Sequence, residues 1–429
     1  MWGRTIGAVA LEGGGAPASF QYDPGFARSG IEVSPITMPL SDRVYTFPDL
    51  SRPTFHGLPG LLADALPDRF GNALIDAWLA TQGRTPESFH AVERLCYTGA
   101  RAMGALEFAP ATGPTPHRSA KIRIDALVDL ASEILTRRAD LRASFGDSGR
   151  ADALEDLLRV GTSAGGARAK AVIAWNEDTH EVRSGQVDAS EGFGYWLLKF
   201  DGVSGNKDKE LDDPKGYGAI EYAYYRMATA AGLTMSECRL LEENGRRHFM
   251  TKRFDRLPEG GKLHMQSLGA LAHYDFNSAG AHSYEQALRV IVRLGLPMEA
   301  VEEQFRRMAF NIIARNQDDH VKNIAFLMDK SGRWSLSPAY DMTFSYNPTG
   351  TWTASHQMSM NRKRDGFSLE DFRACARTVS MKRGRAEAIV EEVRSAVLRW
   401  SEFSEAAGVT PAWRDRVAEV VRMGIGVGG

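Results

Sequence analysis

Chemistry-bearing residues concentrate in Asn316-Gln317-Asp318-Asp319-His320-Val321-Lys322-Asn323 and in Pro338-Ala339-Tyr340-Asp341 beyond it. Asp318 and Asn323 stand five apart, and Asp341 follows eighteen residues after Asn323. That order suits phosphoryl transfer: one carboxylate accepts the substrate hydroxyl proton, then an amide and a second carboxylate hold Mg²⁺. Asp318 is the expected base, and Asn323 and Asp341 are the expected metal ligands. Lys322 is placed to screen the transferred phosphoryl group. His320 has no second histidine at ligand spacing, so a hydrogen-bonded positioning role is expected of it rather than metal ligation. The bland alternative is a helix-end loop in which Asp318 and Asp319 satisfy backbone N–H groups.

Two further stretches bear on a nucleotide. Gly161 to Lys170 carries the small residues Ser163, Ala164, Gly165, Gly166 and Ala167, followed by Arg168. No bulky side chain there would keep backbone N–H groups from phosphates. Ala167 nevertheless stands where a Walker loop needs Lys, and a plain surface loop fits the same residues. A phosphate on Ser163 would put a dianion where the nucleotide phosphates bind. Lys199 lies in the apolar run Tyr195 to Phe200, where a buried ammonium needs a partner. Glu221, twenty-two residues on in the next helical stretch, is the expected one. The alternative for Lys199 is a solvated strand edge.

The elements that must position these residues follow from periodicity. Residues 5–11 and 32–47 are β-favouring, helical spacing covers Asn72 to Leu79 and Ala91 to Tyr97, and Met103 to Phe108 reads as a strand. Pro110 to His117 reads as a linker. An amphipathic helix from Ile124 to about Ser144 and a shorter one over Ala153 to Arg159 precede strands at Ala171–Trp175, Tyr195–Phe200 and His248–Asp255, with a helix from Tyr217 before the last of these. Arg253, Asp255 and Arg256 are expected to form a structural ion-pair cluster. Past residue 262 helices dominate, at Glu299–Ala314, Gly384–Trp400 and Pro411–Met423. A hairpin joins Ile324–Met328 to Arg333–Ser337. A turn centred on Lys330-Ser331 sets Asn323 opposite Pro338, with Asp341 three residues, ~10 Å, further on. The expected domains are 1–115, β-rich with helices; 116–257, a small lobe with the Gly-rich loop; and 258–429, a helical large lobe.

Composition sets the frame. The chain has 429 residues, 43% of them hydrophobic and 25% charged, which suits a globular protein of two or three domains. A formal net charge of −2 gives no global reason to expect nucleic-acid binding. Three scattered cysteines show no C-x-x-C spacing, arguing against disulfides and a thiolate zinc site and for a cytoplasmic protein. No apolar run reaches the ~18 residues of a membrane span.

Leu66-Pro67-Asp68, Ser163 to Lys170, Arg253-Phe254-Asp255-Arg256, Asn316 to Asn323 and Tyr340-Asp341 together resemble HipA, the kinase toxin of bacterial HipBA toxin–antitoxin pairs, along nearly the whole chain. The resemblance implies an α+β, bilobal protein-kinase-like fold with a β-rich N-terminal subdomain and an all-helical C-terminal lobe. It implies ATP- and Mg²⁺-dependent phosphorylation of Ser or Thr on a protein, with aminoacyl-tRNA synthetases among family substrates. It makes Asp318 the base, Asn323 and Asp341 the Mg²⁺ ligands, Lys199 the phosphate-binding lysine and Ser163 the site of self-inactivating autophosphorylation. Lys252 to Phe254 would be the hinge lining the adenine pocket; Lys252 stands where family members often carry Glu. The implied partner is a small HipB-like antitoxin through which DNA is met indirectly, with no membrane involved. A catalytically silent co-repressor module is the alternative, and a small-molecule kinase a more distant one.

Overall fold

A computed structural model of the chain describes residues 1–12, 15–113, 122–136, 168–186, 191–203, 215–257 and 260–425. The Ser163–Ala167 loop, the Ala153–Arg159 helix and the 115/116 boundary lie outside them. The chain divides into two compact units, one of Met1–Ile31, Leu40–Gly218 and Glu237–Met265, the other of Glu32–Pro39, Ala219–Ser236 and Gln266–Gly429.

In the first unit, β1 (Gly7–Ala10), β2 (Ser19–Tyr22) and β3 (Tyr45–Thr46) form an antiparallel sheet in which Gly7 faces Tyr22 and Phe20 faces Tyr45. Phe20, Tyr22 and Tyr45 meet edge to face, an arrangement worth ~1 kcal/mol per pair beyond burial. Of the β-favouring stretch 32–47, only Tyr45 and Thr46 pair as strand. Met103–Phe108 is not a strand either: side chains take the backbone groups of Gly104, and the Phe108 N–H bonds the Gly99 carbonyl. The Gly104 N–H donates to Asp255 Oδ2 at 2.6 Å, and Arg256 Nη1 donates to the Gly104 carbonyl at 3.1 Å. A Cβ on Gly104, whose φ is +77°, would meet the Met265 nitrogen at 2.8 Å, so only glycine fits that approach.

The Arg69–Thr81 helix is capped by Asp68, whose Oδ1 accepts from Gly71 N at 2.6 Å. Its apolar face, with Phe70, Leu74 and Ile75, packs in one core with Leu127 and Val128 of the Ile124–Thr136 helix and with Ile173 and Leu198 of the following sheet. That sheet contains β4 (Lys170–Asn176), β5 (Val182–Ser184), β6 (Phe193–Lys199), β7 (Cys238–Glu243) and β8 (Arg246–Lys252), ordered β5-β4-β6-β8-β7 and antiparallel throughout. β5 adds a strand to the pattern-derived set, and so does β7. It turns into β8 at Asn244-Gly245, both at positive φ, as a tight hairpin requires.

The second unit is mainly helical. Val301, Phe305, Met308 and Ile312 line the buried stripe of the Met298–Ile313 helix, where truncating a phenylalanine costs ~3–5 kcal/mol. Tyr224 is buried and donates its hydroxyl to the Ala314 carbonyl at 2.7 Å, tying the helix end that leads into Asn316. A sheet of β9 (His264–Ser267), β10 (Ala325–Met328) and β11 (Trp334–Leu336) carries the expected hairpin.

The hairpin register differs by one residue from the expectation. Phe326 faces Leu336 and the Ser337 N–H reaches the Ala325 carbonyl, so the ladder extrapolates to Asn323 opposite Ala339, not Pro338. The turn is responsible. Asp329 Oδ1 accepts from the Ser331 and Arg333 N–H groups, Gly332 takes φ +85°, and the loop is odd-numbered. Asp341 therefore lies two residues beyond the position facing Asn323.

Candidate active site

The Met298–Ile313 helix ends at Ala314, and Arg315 turns the chain with φ +58°. From there the loop is tied to the strand-like segment after Asp341. The Gln317 N–H donates to the Ser345 carbonyl at 2.9 Å, and the Ser345 N–H returns to Arg315 at 3.1 Å. Asn316 Nδ2 reaches Asn311 Oδ1 at 2.9 Å and the Asp341 carbonyl at 3.2 Å. The stretch that bears Asp318 and the stretch that bears Asp341 thus share a backbone frame.

Asp318 has a side chain 44% exposed. Its Oδ1 accepts from the Trp352 indole N–H at 2.7 Å, which fixes the carboxylate while leaving it open to solvent. Asp319 is the opposite case. Its side chain is fully buried, with Oδ1 taken by the Gln357 N–H at 2.8 Å and Oδ2 by the Tyr284 hydroxyl at 2.6 Å and His356 Nδ1 at 2.7 Å. Burial, and then the Asp319 charge, push the Tyr284 hydroxyl well above its ordinary value, so it remains a donor. Of two adjacent carboxylates, one is presented and the other is built in.

Asn323 donates its Nδ2 to the Asp318 carbonyl at 2.8 Å. That bond orients the amide and leaves Oδ1 as the acceptor the side chain can offer. Asp341 has φ +53°, a conformation costly for a non-glycine residue and concentrated at functional positions. An amide oxygen and a carboxylate are hard oxygen donors suited to Mg²⁺, which is commonly held by one or two such groups plus substrate phosphates. Among the described residues there is no group of three or more His, Cys, Asp or Glu that could hold a metal by itself. A metal here would draw the rest of its shell from phosphate oxygens and water.

Lys322 has its Nζ 5.1 Å from the Phe276 ring centre, and its carbonyl accepts from the Tyr340 hydroxyl at 2.7 Å. His320 packs against Phe276, with Nε2 3.9 Å from Asp318 and Nδ1 making no hydrogen bond among the described residues. That distance is too long for the hydrogen-bonded positioning role expected of it. His356, thirty-seven residues beyond Asp319, makes the positioning contact instead. No local pattern marks His356, Gln357, Trp352 or Tyr284, because each reaches the loop through tertiary structure.

In the first unit, Lys199 is buried on β6, an interior strand, so the solvated-edge reading does not hold. It faces Lys170 across β4 and Phe249 across β8. Lys170 is engaged by Asp68 at 3.2 Å, both side chains 2% exposed. One of two facing lysines is thereby neutralised by the residue that caps the Arg69 helix. Glu221 is buried in the second unit. Arg168 lies over the Tyr217 ring at 4.8 Å.

At the expected hinge, Lys252 is exposed, with Nζ 3.3 Å from Glu237, and Phe254 is half-buried. The Lys252 N–H is bonded to the Glu237 carbonyl and the Arg253 N–H to the Tyr195 carbonyl, so neither donor is left for a nucleobase. Beyond it, Asp255 receives both Arg253 Nε (2.9 Å) and Nη2 (2.6 Å), together with Arg256 Nη1 (2.7 Å). Although its burial favours the neutral acid, the two guanidinium groups and the Gly104 N–H hold its pKa down at about 2. Burial brings Arg256 down to about 10. The cluster is structural, as its composition suggested.

Comparison with known proteins places these observations in a family. The HipA N-terminal domain matches residues 1–109 and the HipA-like C-terminal domain matches residues 162–400. Two curated proteins of Sinorhizobium fredii, Y4dM and Y4mE, both provisionally named kinases, are 26% identical over 219 residues and 27% identical over 126 residues. The matches cover 47% and 27% of this chain. The chain spans about half the length of the first relative and 30% of the second. A solved structure of the Shewanella oneidensis HipA, HipB and operator DNA complex contains a chain that superposes with a TM-score of 0.67 at 15% identity, covering 96% of this chain and 92% of that one. That likeness is one of fold, and the fold is protein-kinase-like. No helix among the described residues is long and apolar enough to cross a membrane.

Proposed function

The chain belongs to the HipA family, and from that premise we propose that it is an ATP- and Mg²⁺-dependent serine/threonine protein kinase acting as the toxin of a toxin–antitoxin pair. The observation that carries the reading is the division of labour in the loop. Asp318, its side chain 44% exposed, is oriented by Trp352, while Asn323 donates its amide nitrogen to the Asp318 carbonyl, which leaves its oxygen as the acceptor it can offer. In this reading Asp318 accepts the proton of the attacking hydroxyl, and Asn323 and Asp341 hold the cation. Bound Mg²⁺ would supply charge neutralisation at the phosphates. Lys199 binds the nucleotide phosphates, Lys322 screens the transferred group, and Ser163 is the autophosphorylation site that shuts the enzyme down. The substrate class is a translation-related protein such as an aminoacyl-tRNA synthetase. The partner is a HipB-like antitoxin, in keeping with the HipB and DNA found with the Shewanella protein.

The test uses purified full-length chain, labelled ATP and Mg²⁺. Wild type should incorporate label, Asp318→Ala should not, and Ser163→Ala should lose the main phosphopeptide while still binding ATP. Absence of both ATP binding and phosphorylation, with wild type and Asp318→Ala alike, would sink the kinase reading. Growth arrest on expression without the antitoxin, abolished by Asp341→Ala, separates a toxin from a silent co-repressor.

A further inference from the structure

We infer that Arg422 and His356 are positioning residues that hold the catalytic loop through Asp319, a role resting on the phosphoryl-transfer reading above. Arg422 lies beyond the Pro411–Val420 helix, 103 residues from Asp319 in sequence. Its Nη1 is 2.7 Å from His356 Nε2. A guanidinium has only donors, so Nε2 must accept, and the ring proton is then on Nδ1, 2.7 Å from Asp319 Oδ2. Arg422 thereby selects the histidine tautomer that bonds Asp319.

The arginine is itself fixed. Nη1 also reaches the Ile312 carbonyl at 2.7 Å, Nη2 reaches Asp365 Oδ1 at 2.5 Å, and its backbone N–H reaches the Ile313 carbonyl at 2.9 Å. Arg315 Nε donates to the Val420 carbonyl at 2.7 Å. Residues 420–422 are therefore stitched to 312–315, the stretch that delivers the loop. Burial, reinforced by nearby Arg315, brings the Arg422 guanidinium down to about 10 despite Asp365. A cation held in such a place is costly unless paired, and Asp365 is its counter-ion.

The effect should reach Asp318 because one short segment serves both aspartates. Trp352 bonds Asp318, His356 and the Gln357 N–H bond Asp319, and Gln357 Nε2 ties the segment together through the Trp352 carbonyl and the Gln317 carbonyl. Without Arg422 the His356 ring loses its tautomer control and the 352–357 segment loses a fixed point. The base then samples orientations away from the substrate hydroxyl, while Lys199, assigned to the nucleotide phosphates, lies on β6 of the first unit.

The experiment compares full-length wild type with Arg422→Ala, Arg422→Lys, His356→Asn and the Arg422→Ala/His356→Asn double variant. Mg²⁺-ATP autophosphorylation rates are measured together with hydrogen–deuterium exchange of peptides covering 316–323, without nucleotide. In Arg422→Ala, the maximal autophosphorylation rate constant, here taken as kcat, should fall ~10- to 100-fold with the ATP KM within about twofold, since misplacing a catalytic group acts on the chemical step. Arg422→Lys, which retains a cationic donor for Nε2, should recover most of the loss. The double variant should be no worse than the poorer single, because both break one chain of contacts. Exchange over 316–323 should quicken in Arg422→Ala, with the first unit unchanged. Turnover within twofold of wild type, multiplicative singles, or kcat and KM lost together with faster exchange throughout would each overturn the inference. If wild type itself transfers no phosphoryl group, the kinase reading fails by that result. Exchange then decides the clamp separately, and unchanged protection of 316–323 in Arg422→Ala overturns it.

Discussion

Asp255→Asn is the sharpest probe of the first unit. The substitution keeps the side-chain shape and removes the charge that two arginines share. Asp255 is fully buried, and the side chains of Arg253 and Arg256 are 1% and 10% exposed. The variant leaves two guanidinium groups facing each other without their counterion, and breaking a buried pair from one side costs ~3–5 kcal/mol. In a unit of this size each kcal/mol moves the midpoint by ~2–4 °C, so a fall on the order of 10 °C is expected by calorimetry or circular dichroism. Acid gives a second handle. Folding lowers the Asp255 pKa from 3.8 to about 2. Its contribution is therefore complete above pH 3.8 and is lost as the pH falls through about 2, and the difference is worth about 2 kcal/mol. The gap between wild type and variant should be constant from neutral pH down to about 4 and close only below that. Arg253→Met added to Asp255→Asn should restore part of the loss by removing one stranded cation. A loss under ~1 kcal/mol for Asp255→Asn, or a gap that closes near neutrality, would refute the account of this cluster.

Two other outcomes are expected. His248 accepts the Asp201 N–H at Nδ1, and burial, helped by Arg246 and Arg168 and opposed by Asp201, brings its pKa from 6.5 to about 4. Stability is then complete above 6.5 and falls by up to about 3 kcal/mol between 6.5 and 4, and urea titrations of His248→Gln should show that slope removed. Asn323→Asp keeps an oxygen for the cation but loses the donor to the Asp318 carbonyl. Mg²⁺ dependence should persist while turnover falls ~10-fold, a loss of donor geometry rather than of ligand; loss of Mg²⁺ dependence would contradict the assignment.

The fold was legible where periodicity is local. Val301, Phe305, Met308 and Ile312 announce the Met298–Ile313 helix, and the run Tyr195 to Phe200 announces β6. β7 was legible too, through Asn244-Gly245 before Arg246–Lys252, a turn signal that pattern reading passed over because Cys238–Glu243 is only half apolar. Met103–Phe108 failed for another reason. Its composition suits a strand, but Asp255 and Arg256 take the backbone groups of Gly104, and side chains distant in sequence cannot be weighed by propensity. At the site, Asp318, Asn323 and Asp341 stood out by residue type and spacing. The reason Asp318 rather than Asp319 is exposed did not, because it depends on Trp352, Tyr284 and His356 converging from separate segments.

The five-residue turn Asp329–Arg333 acts as a ruler. With the aspartate capping the turn and Gly332 at positive φ, the ladder that pairs Phe326 with Leu336 has only one register. Exposed letters within the turn can vary freely so long as a capping aspartate and a left-handed glycine remain. Its length cannot. Deleting one residue would force either a tighter loop or a one-residue slip of the ladder, and a slip would turn the side chains of Trp334–Leu336 to the opposite face, with every ligand still present in the sequence. In homologues, the spacing between the amide and the second carboxylate should therefore be a better diagnostic of a working site than the identity of anything between them.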